Sequence, residues 1–425
     1  MLSLQAEYQE VKLNGHQTKM RLIAMTSLLL ICLLGVTCAP GRGFDSRLSS
    51  IVKPYRFSVA RWESKALLDE ANQLIFGRRE KVDDEVNRVT EYFSAVERIK
   101  TLRSEVEAIN TDKEQTNTAL LKAELSKLQE RTAALAHMVE KIIEEQIRES
   151  LAQQGIFNPM DKYVRLKVSF PPLNFRLEKP PHLLVISPRD SIESMREITL
   201  KQETSLEQME DIEANVDKLG VSSLVVGLGG FSTYPSVVTN NANLWFTIDT
   251  VTHEWLHQYL VFKPLGFHYL LDLLGVSRNY EIATINETLV SMVSEEIGAI
   301  VCERYYPEHK NGVNQGQLAG TGFDFNREMR EIRRAVDKYL AQGEIEQAEE
   351  FMEQKRRYLA TKGYYIRKLN QAYFAFHGTY AYRPTSISPI GLELKKLRSQ
   401  STSLKDFLNT VAAMTSREDL RVSIK

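Results

Sequence analysis

The sequence predicts an α+β protein, predominantly α, and three observations carry that expectation. Residues 59–154 contain no proline and a single glycine, Gly77, in a stretch rich in Glu, Lys, Arg, Leu and Ala. After Asn158 come short runs of apolar and β-branched residues bounded by Gly, Pro and Ser, which read as strands. From Asp249 onward the apolar period is helical to the end of the chain. A small sheet followed by many helices is the α+β pattern. The expected division is 1–43 as a signal peptide or membrane anchor, 44–158 as a coiled-coil-like helical hairpin and 159–425 as the main domain. Within the last, 159–262 would hold the sheet and a motif-bearing helix, and 263–425 a helical subdomain.

Composition narrows the function classes. The 425 residues are 43% hydrophobic and 26% charged, ordinary for a folded soluble chain, which excludes a polytopic membrane protein and a disordered one. The formal charge of −1 supplies no global field toward nucleic acid, and no nucleic-acid partner is expected. Three cysteines, Cys32, Cys38 and Cys302, are too few for a disulfide framework.

Taking the elements in order, residues 22–39 form an uncharged apolar run behind Lys12, Lys19 and Arg21. As a helix these 18 residues would span about 27 Å, close to a bilayer core. A start at Met20 would make the run a compact signal peptide. Cys38 is a candidate lipidation site, although Leu34-Gly35-Val36-Thr37 before it is a poor lipoprotein signal. A lipoprotein, an uncleaved anchor, a cleaved signal and a buried core helix all stay open. The basic flank favours export, which would put the body outside the cytoplasm in a bacterial cell envelope, held to the membrane by its N-terminus.

In the charged region, Tyr92, Val96, Ile99, Leu102, Val106 and Ile109 recur at helical spacing, as do Leu121, Leu125, Leu128, Leu135, Met138 and Ile142. Asn110-Thr111-Asp112 interrupts the pattern, so a helix, a turn near 110–116 and a returning helix are expected. The pair is either a spacer arm for a protein partner or a hairpin packed on the main domain.

The expected strands are 164–170, 175–177, 183–186, 222–228 and, short and extended, 244–248; residues 191–219 read as helix.

The residues that carry chemistry are His253-Glu254-Trp255-Leu256-His257, an HExxH motif. On a helix, side chains four apart share a face, so both imidazoles can reach one Zn²⁺. Glu254 is then free to act on a water beside the metal. Asp249 or Thr250 can cap the helix, Val251, Trp255 and Tyr259 can face the core, and Pro264 can stop it. A third ligand is required. Lys263 stands six residues after His257 and Leu260 three after, so the metzincin pattern is absent. His268 and Asp272 are possible ligands on a segment expected to turn away. Residues 281–300 form a second expected helix containing Asn286, Glu287 and Ser291.

This arrangement resembles the gluzincin metallopeptidases, in which HExxH is followed by an Asn-Glu or similar pair on a second helix. The resemblance covers about 225–410 and implies that Glu287 is the third zinc ligand, with Glu281, Glu295 and Glu296 as rivals. It also implies that Asn286 and Ser291 support the site. Ser291 stands where that family often has an aspartate, and residues 267–280 read as an insertion. Gly229, Gly230 and Phe231 precede the motif helix where such peptidases carry an edge strand for extended substrate; a glycine turn closing a hairpin is the alternative. Residues 370–381, with the segments that follow to 407, resemble the C-terminal helices of aminopeptidase-like gluzincins, where a tyrosine or histidine helps hold the oxyanion. His377, Tyr380 and Tyr382 are the candidates, and Arg383 is the candidate for a substrate carboxylate. The expectation is a membrane-associated zinc metallopeptidase acting on peptide or protein substrates. A non-catalytic membrane-anchored scaffold and a metal-dependent hydrolase of non-peptide amides are the rival classes.

Overall fold

The computed structural model describes residues 43–59, 62–63, 84–111, 119–159, 169–308 and 323–424. The architecture is mostly helical with two small sheets, as the α+β expectation requires. Residues 22–39, Cys38, most of the expected strand 164–170 and the turn residues after Thr111 lie outside the described residues. Among the described residues no helix is long and apolar enough to cross a membrane.

A short helix α1 (Phe44–Val52) precedes α2 (Glu85–Thr111) and α3 (Ala119–Gln153). Arg98 pairs with Glu124 at 2.8 Å and Arg131 with Glu91 at 2.6 Å. Partner numbers fall on α3 as they rise on α2, so the two helices run antiparallel. Tyr92, Val96, Ile99 and Leu102 are buried, but Leu121, Leu125 and Leu128 are only half covered. The second half of α3 is where burial deepens: Leu135, Val139, Ile143, Ile147 and Leu151 share one continuous core with the motif helix. The hairpin is therefore packed on the body at its base, which favours that reading over a free arm.

One sheet contains β2 (His182–Pro188) between β3 (Arg196–Leu200) and β4 (Val221–Gly227), all antiparallel. The other has β6 (Ser236–Val238) between β1 (Phe175–Leu177), parallel to it, and β5 (Gly230–Phe231), antiparallel. Helix α3 closes the open side of β1: Glu140 accepts from the Leu177 amide at 2.7 Å and Glu144 from the Phe175 amide at 3.3 Å. Among the described residues, the opposite edge, β5, carries no strand beyond it.

Two expectations need correction. Residues 191–219 are not one helix: β3 pairs with β2 first, and α4 (Leu206–Asp217) begins only at Ser205, whose side chain forms a capping box with Gln208. Leu200 is fully buried and Ile198 packs on the same small core, so burial against β2 decided the strand. Residues 244–248 are not extended. They open α5 (Leu244–Leu260), capped by Asn243, which accepts from the Phe246 amide at 2.8 Å; neither Asp249 nor Thr250 is the cap. Leu244, Thr247, Ile248 and Val251 are buried at spacings of three and four, and this one-sided burial overrides the strand preference of aromatic and β-branched residues.

Helix α6 (Pro264–Leu273) follows, with Pro264 in its first turn, then α7 (Tyr280–Tyr305). Helices α8 (Phe325–Ala341), α9 (Ile345–Thr361), α10 (Gln371–Gly378), α11 (Pro389–Gln400), α12 (Leu404–Ala412) and α13 (Arg417–Ser423) complete the chain.

Candidate metal centre

Helix α5 is amphipathic around a chemical face. Val251, Trp255 and Tyr259 are buried in the core, and the Trp255 indole donates to the Pro171 carbonyl at 2.8 Å. That leaves His253 and His257 on another face, one turn apart, with ring centroids separated by 4.8 Å and Nε2 atoms by 3.1 Å. Helix α7 packs across α5 through Ile285, Leu289, Val290, Val293 and Ile297, all fully buried. This packing brings Glu287 to the two rings: Oε2 lies 3.4 Å from His253 Nε2 and Oε1 3.5 Å from His257 Nε2. The ligand atoms of His253, His257 and Glu287 all fall within 4.8 Å of one another, a group that can hold a metal ion.

The electrostatics suit a cation. Two imidazole nitrogens face each other with a carboxylate in a nearly dry site, and Glu287 Oε2 is buried without a hydrogen-bond donor among the described residues. A buried polar atom left unpaired is costly, and a shared cation relieves it. Burial opposes ionisation of Glu287, but the two histidines override it and hold the carboxyl well below its usual range. For His253 burial acts against the charge, and contact with Glu287 reverses it, so its pKa is raised.

Glu254 turns away from this trio toward the sheet. It is 8% exposed, and burial raises its pKa despite the nearby histidines. Its carboxylate lies so near Gly230 that a Cβ there would collide with Glu254 Oε1 and Thr250 Cγ2. Only glycine lets the β5 backbone approach the carboxylate this closely. Gly229 likewise leaves room for the Phe246 ring. The strand is tied to α5 by Gln258, whose amide donates to the Thr233 carbonyl at 2.6 Å and to Ser236 Oγ at 2.9 Å. Ser232 Oγ adds a bond to the Glu254 carbonyl at 3.0 Å. An edge strand thus runs directly beside Glu254.

Tyr269, on α6, was not anticipated. Its hydroxyl donates to Glu287 Oε1 at 2.5 Å, and its ring stacks on His257 with centroids 5.5 Å apart. Gly266 makes this possible, because a Cβ there would strike the Leu260 carbonyl where α6 folds back on α5. The stretch read as an insertion therefore delivers a hydrogen-bond donor to the site. The hint in the sequence is a polar aromatic beside His268 in a largely apolar segment after Pro264. Asp249, one turn before His253, is half-buried; it accepts from Ser294 Oγ at 2.6 Å, and desolvation raises its pKa.

The rival ligands sit elsewhere. Asp272 accepts from the Asn279 amide at 2.7 Å and shapes the turn into α7, while His268 packs its ring edge-on to Phe267. Glu281 pairs with Arg417 and Glu296 with Arg398, each at 2.8 Å; Glu295 is outside the cluster too. Asn286 is fully buried, and neither of its amide atoms has a hydrogen-bond partner among the described residues; Ser291 is buried, and its carbonyl accepts from Ser294.

Of the three oxyanion candidates, Tyr380 comes nearest the histidines, its ring 6.4 Å from that of His253. Burial, then the charge of Glu287, raises its pKa well above the ordinary value, so it is a neutral donor. His377 packs on Tyr373 at 4.3 Å, and burial with the nearby Arg383 lowers its pKa to about 4. His377, Tyr382 and Arg383 line a neighbouring cavity rather than the metal cluster. The chain matches no family model, no curated protein and no solved structure.

Proposed function

We propose that the protein is a zinc metallopeptidase of gluzincin type. One observation carries the reading: His253, His257 and Glu287 converge while Glu254 stands outside their group, against a strand edge that carries no further strand among the described residues. Two imidazoles and one carboxylate are a zinc ligand set of the kind that leaves a position open. Ligands about 2.0–2.1 Å from a tetrahedral ion lie about 3.3–3.4 Å from each other. The two Nε2 atoms, 3.1 Å apart, come near that spacing, and each ring has one of the two Glu287 oxygens at 3.4 or 3.5 Å.

Zinc held there supplies Lewis acidity that polarises a carbonyl and makes water a stronger acid. The chain supplies the remainder. The edge of β5 offers main-chain hydrogen bonds to an extended peptide and lays it beside Glu254. Glu254 accepts a proton from the attacking water as the C–O bond forms. It passes that proton to the amine nitrogen as the C–N bond breaks. Tyr380, neutral and beside His253, donates to the carbonyl oxygen as negative charge builds. The apolar run 22–39 behind Lys19 and Arg21 supports a body anchored outside the cytoplasm in a bacterial envelope, by a spanning helix or a lipid on Cys38.

The test compares Glu254→Gln with His253→Ala for zinc content and for hydrolysis of a peptide library. Glu254→Gln keeps zinc and loses roughly 10²–10⁴-fold in rate, while His253→Ala loses both. Hydrolysis by Glu254→Gln at the parental rate would overturn the mechanism. A zinc-loaded parent that cleaves nothing would favour the non-catalytic scaffold.

A further inference from the structure

A cavity of about 1220 Å³ adjoins the metal cluster without including it. Thr284 and Tyr280, about one and two turns before Glu287 on α7, form one side; Phe325, Tyr364 and Tyr373 give it an aromatic wall. At that volume it is roomy enough for several side chains.

Its charge is one-sided. Arg333, Arg383 and Arg417 line it, against a single acid, Glu281. Arg333 is held by Asp337 at 2.9 Å, and Arg417 by Glu281 at 2.8 Å and Glu393 at 3.2 Å. Arg383 has no carboxylate within ion-pair distance among the described residues. Its guanidinium stacks on the Tyr380 ring at 4.7 Å. The turn that carries it is held by the Arg383 amide donating to the Tyr380 carbonyl at 3.2 Å and by Arg330 donating to the Pro384 carbonyl. The Arg383 guanidinium shares a hydrogen bond with the Tyr382 side chain and feels the charge of Asp249, but a positioned guanidinium with no carboxylate at ion-pair distance is suited to recognition of one.

Tyr380 links the two places. Its ring lies 6.4 Å from His253 on one side and 4.7 Å from the Arg383 guanidinium on the other. The guanidinium is therefore no more than about 11 Å from the His253 ring, a distance that about three residues of extended chain cover. We infer that Arg383 and the aromatic cavity form a substrate subsite for a peptide carrying a carboxylate and a bulky apolar side chain within about three residues of the cleaved bond. This rests on the peptidase reading above. A C-terminal carboxylate and an acidic side chain share the required chemistry.

The experiment uses the full chain loaded with zinc and four peptides of one sequence: free C-terminal acid or amide, each with Glu or Gln three residues beyond the cleaved bond. The parent should favour a carboxylate-bearing peptide about tenfold or more in kcat/KM, mainly through KM. Preference for the free acid identifies the chain end; preference for Glu identifies the side chain. In Arg383→Ala that ratio should collapse toward one, and in Arg383→Lys it should survive in part, because charge is kept and the fork is lost. A parental ratio of one, or a ratio unchanged in Arg383→Ala, overturns the subsite. Binding of the same peptides to zinc-loaded Glu254→Gln, with and without Arg383→Ala, reads the subsite without turnover. If the parent cleaves nothing but binding shows the Arg383-dependent preference, the peptidase reading fails and the carboxylate subsite stands. If binding shows no preference, the subsite fails whatever the activity.

Discussion

Helices α3 and α7 each bury carboxylates in the same apolar core, and they treat them in opposite ways. On α3, Glu140 and Glu144 accept amide hydrogens from Leu177 and Phe175, and Lys141 reaches Glu144 at 3.0 Å. These acids replace the strand that β1 lacks, so their hydrogen-bonding capacity is used by the backbone. On α7, Glu287 has one oxygen bonded by Tyr269 and the other without a donor, facing His253. The difference teaches how to read a buried acid. One that accepts backbone hydrogen bonds closes a structure; one aimed at two imidazole rings is built for a cation.

Removing the α7 acid should have the largest effect. Glu287→Ala leaves two imidazoles, and stoichiometric zinc should be lost on dialysis, as read by metal analysis. Full retention of zinc would break the contrast between the helices.

The α3 acids should respond to pH. Burial raises the pKa of Glu140 to about 7 from an ordinary 4.5, with the Leu177 bond, Arg176 and Lys141 pulling the other way and Glu144 adding to it. Glu144 is also raised, by burial first. The folded state therefore binds a proton that the unfolded chain has released. The stabilisation from Glu140 is complete below about pH 4.5 and is lost as pH rises to about 7. At 1.36 kcal/mol per unit this amounts to about 3 kcal/mol. Denaturation of metal-free protein between those pH values should show the decline. Glu140→Gln, which still accepts from the Leu177 amide, should flatten it, and an equally steep decline in the variant would remove Glu140 as its cause.

The smallest effect sharpens the comparison on the metal side. Tyr269→Phe keeps the ring against His257 and deletes the hydroxyl on Glu287. Zinc affinity in competition with a chelator should weaken roughly 10–100-fold, the usual cost of losing an outer partner of a ligand. An unchanged affinity would make Tyr269 a packing residue only.

Much of the centre was legible because a helix has a fixed period. His253 and His257 must share a face once the segment is helical, and Glu287 lay on a recognisable second helix. The start of α5 was not legible, because Trp245, Phe246, Thr247 and Ile248 suit a strand as well as a helix, and burial against the core chose between them. The residues of β3 posed the reverse problem, since only pairing with β2 rewards extension there.

By itself, then, the sequence determined the helical class, the hairpin, the motif helix and the types of ligand, all consequences of spacing along one chain. Only the tertiary structure decided that α7 turns Glu287 toward the histidines, that α6 brings Tyr269 to it, that Glu140 and Glu144 seal β1, and that Tyr380 joins the centre to the cavity at Arg383. These contacts join residues distant in sequence. Their geometry follows from how apolar faces pack, which local periodicity does not encode.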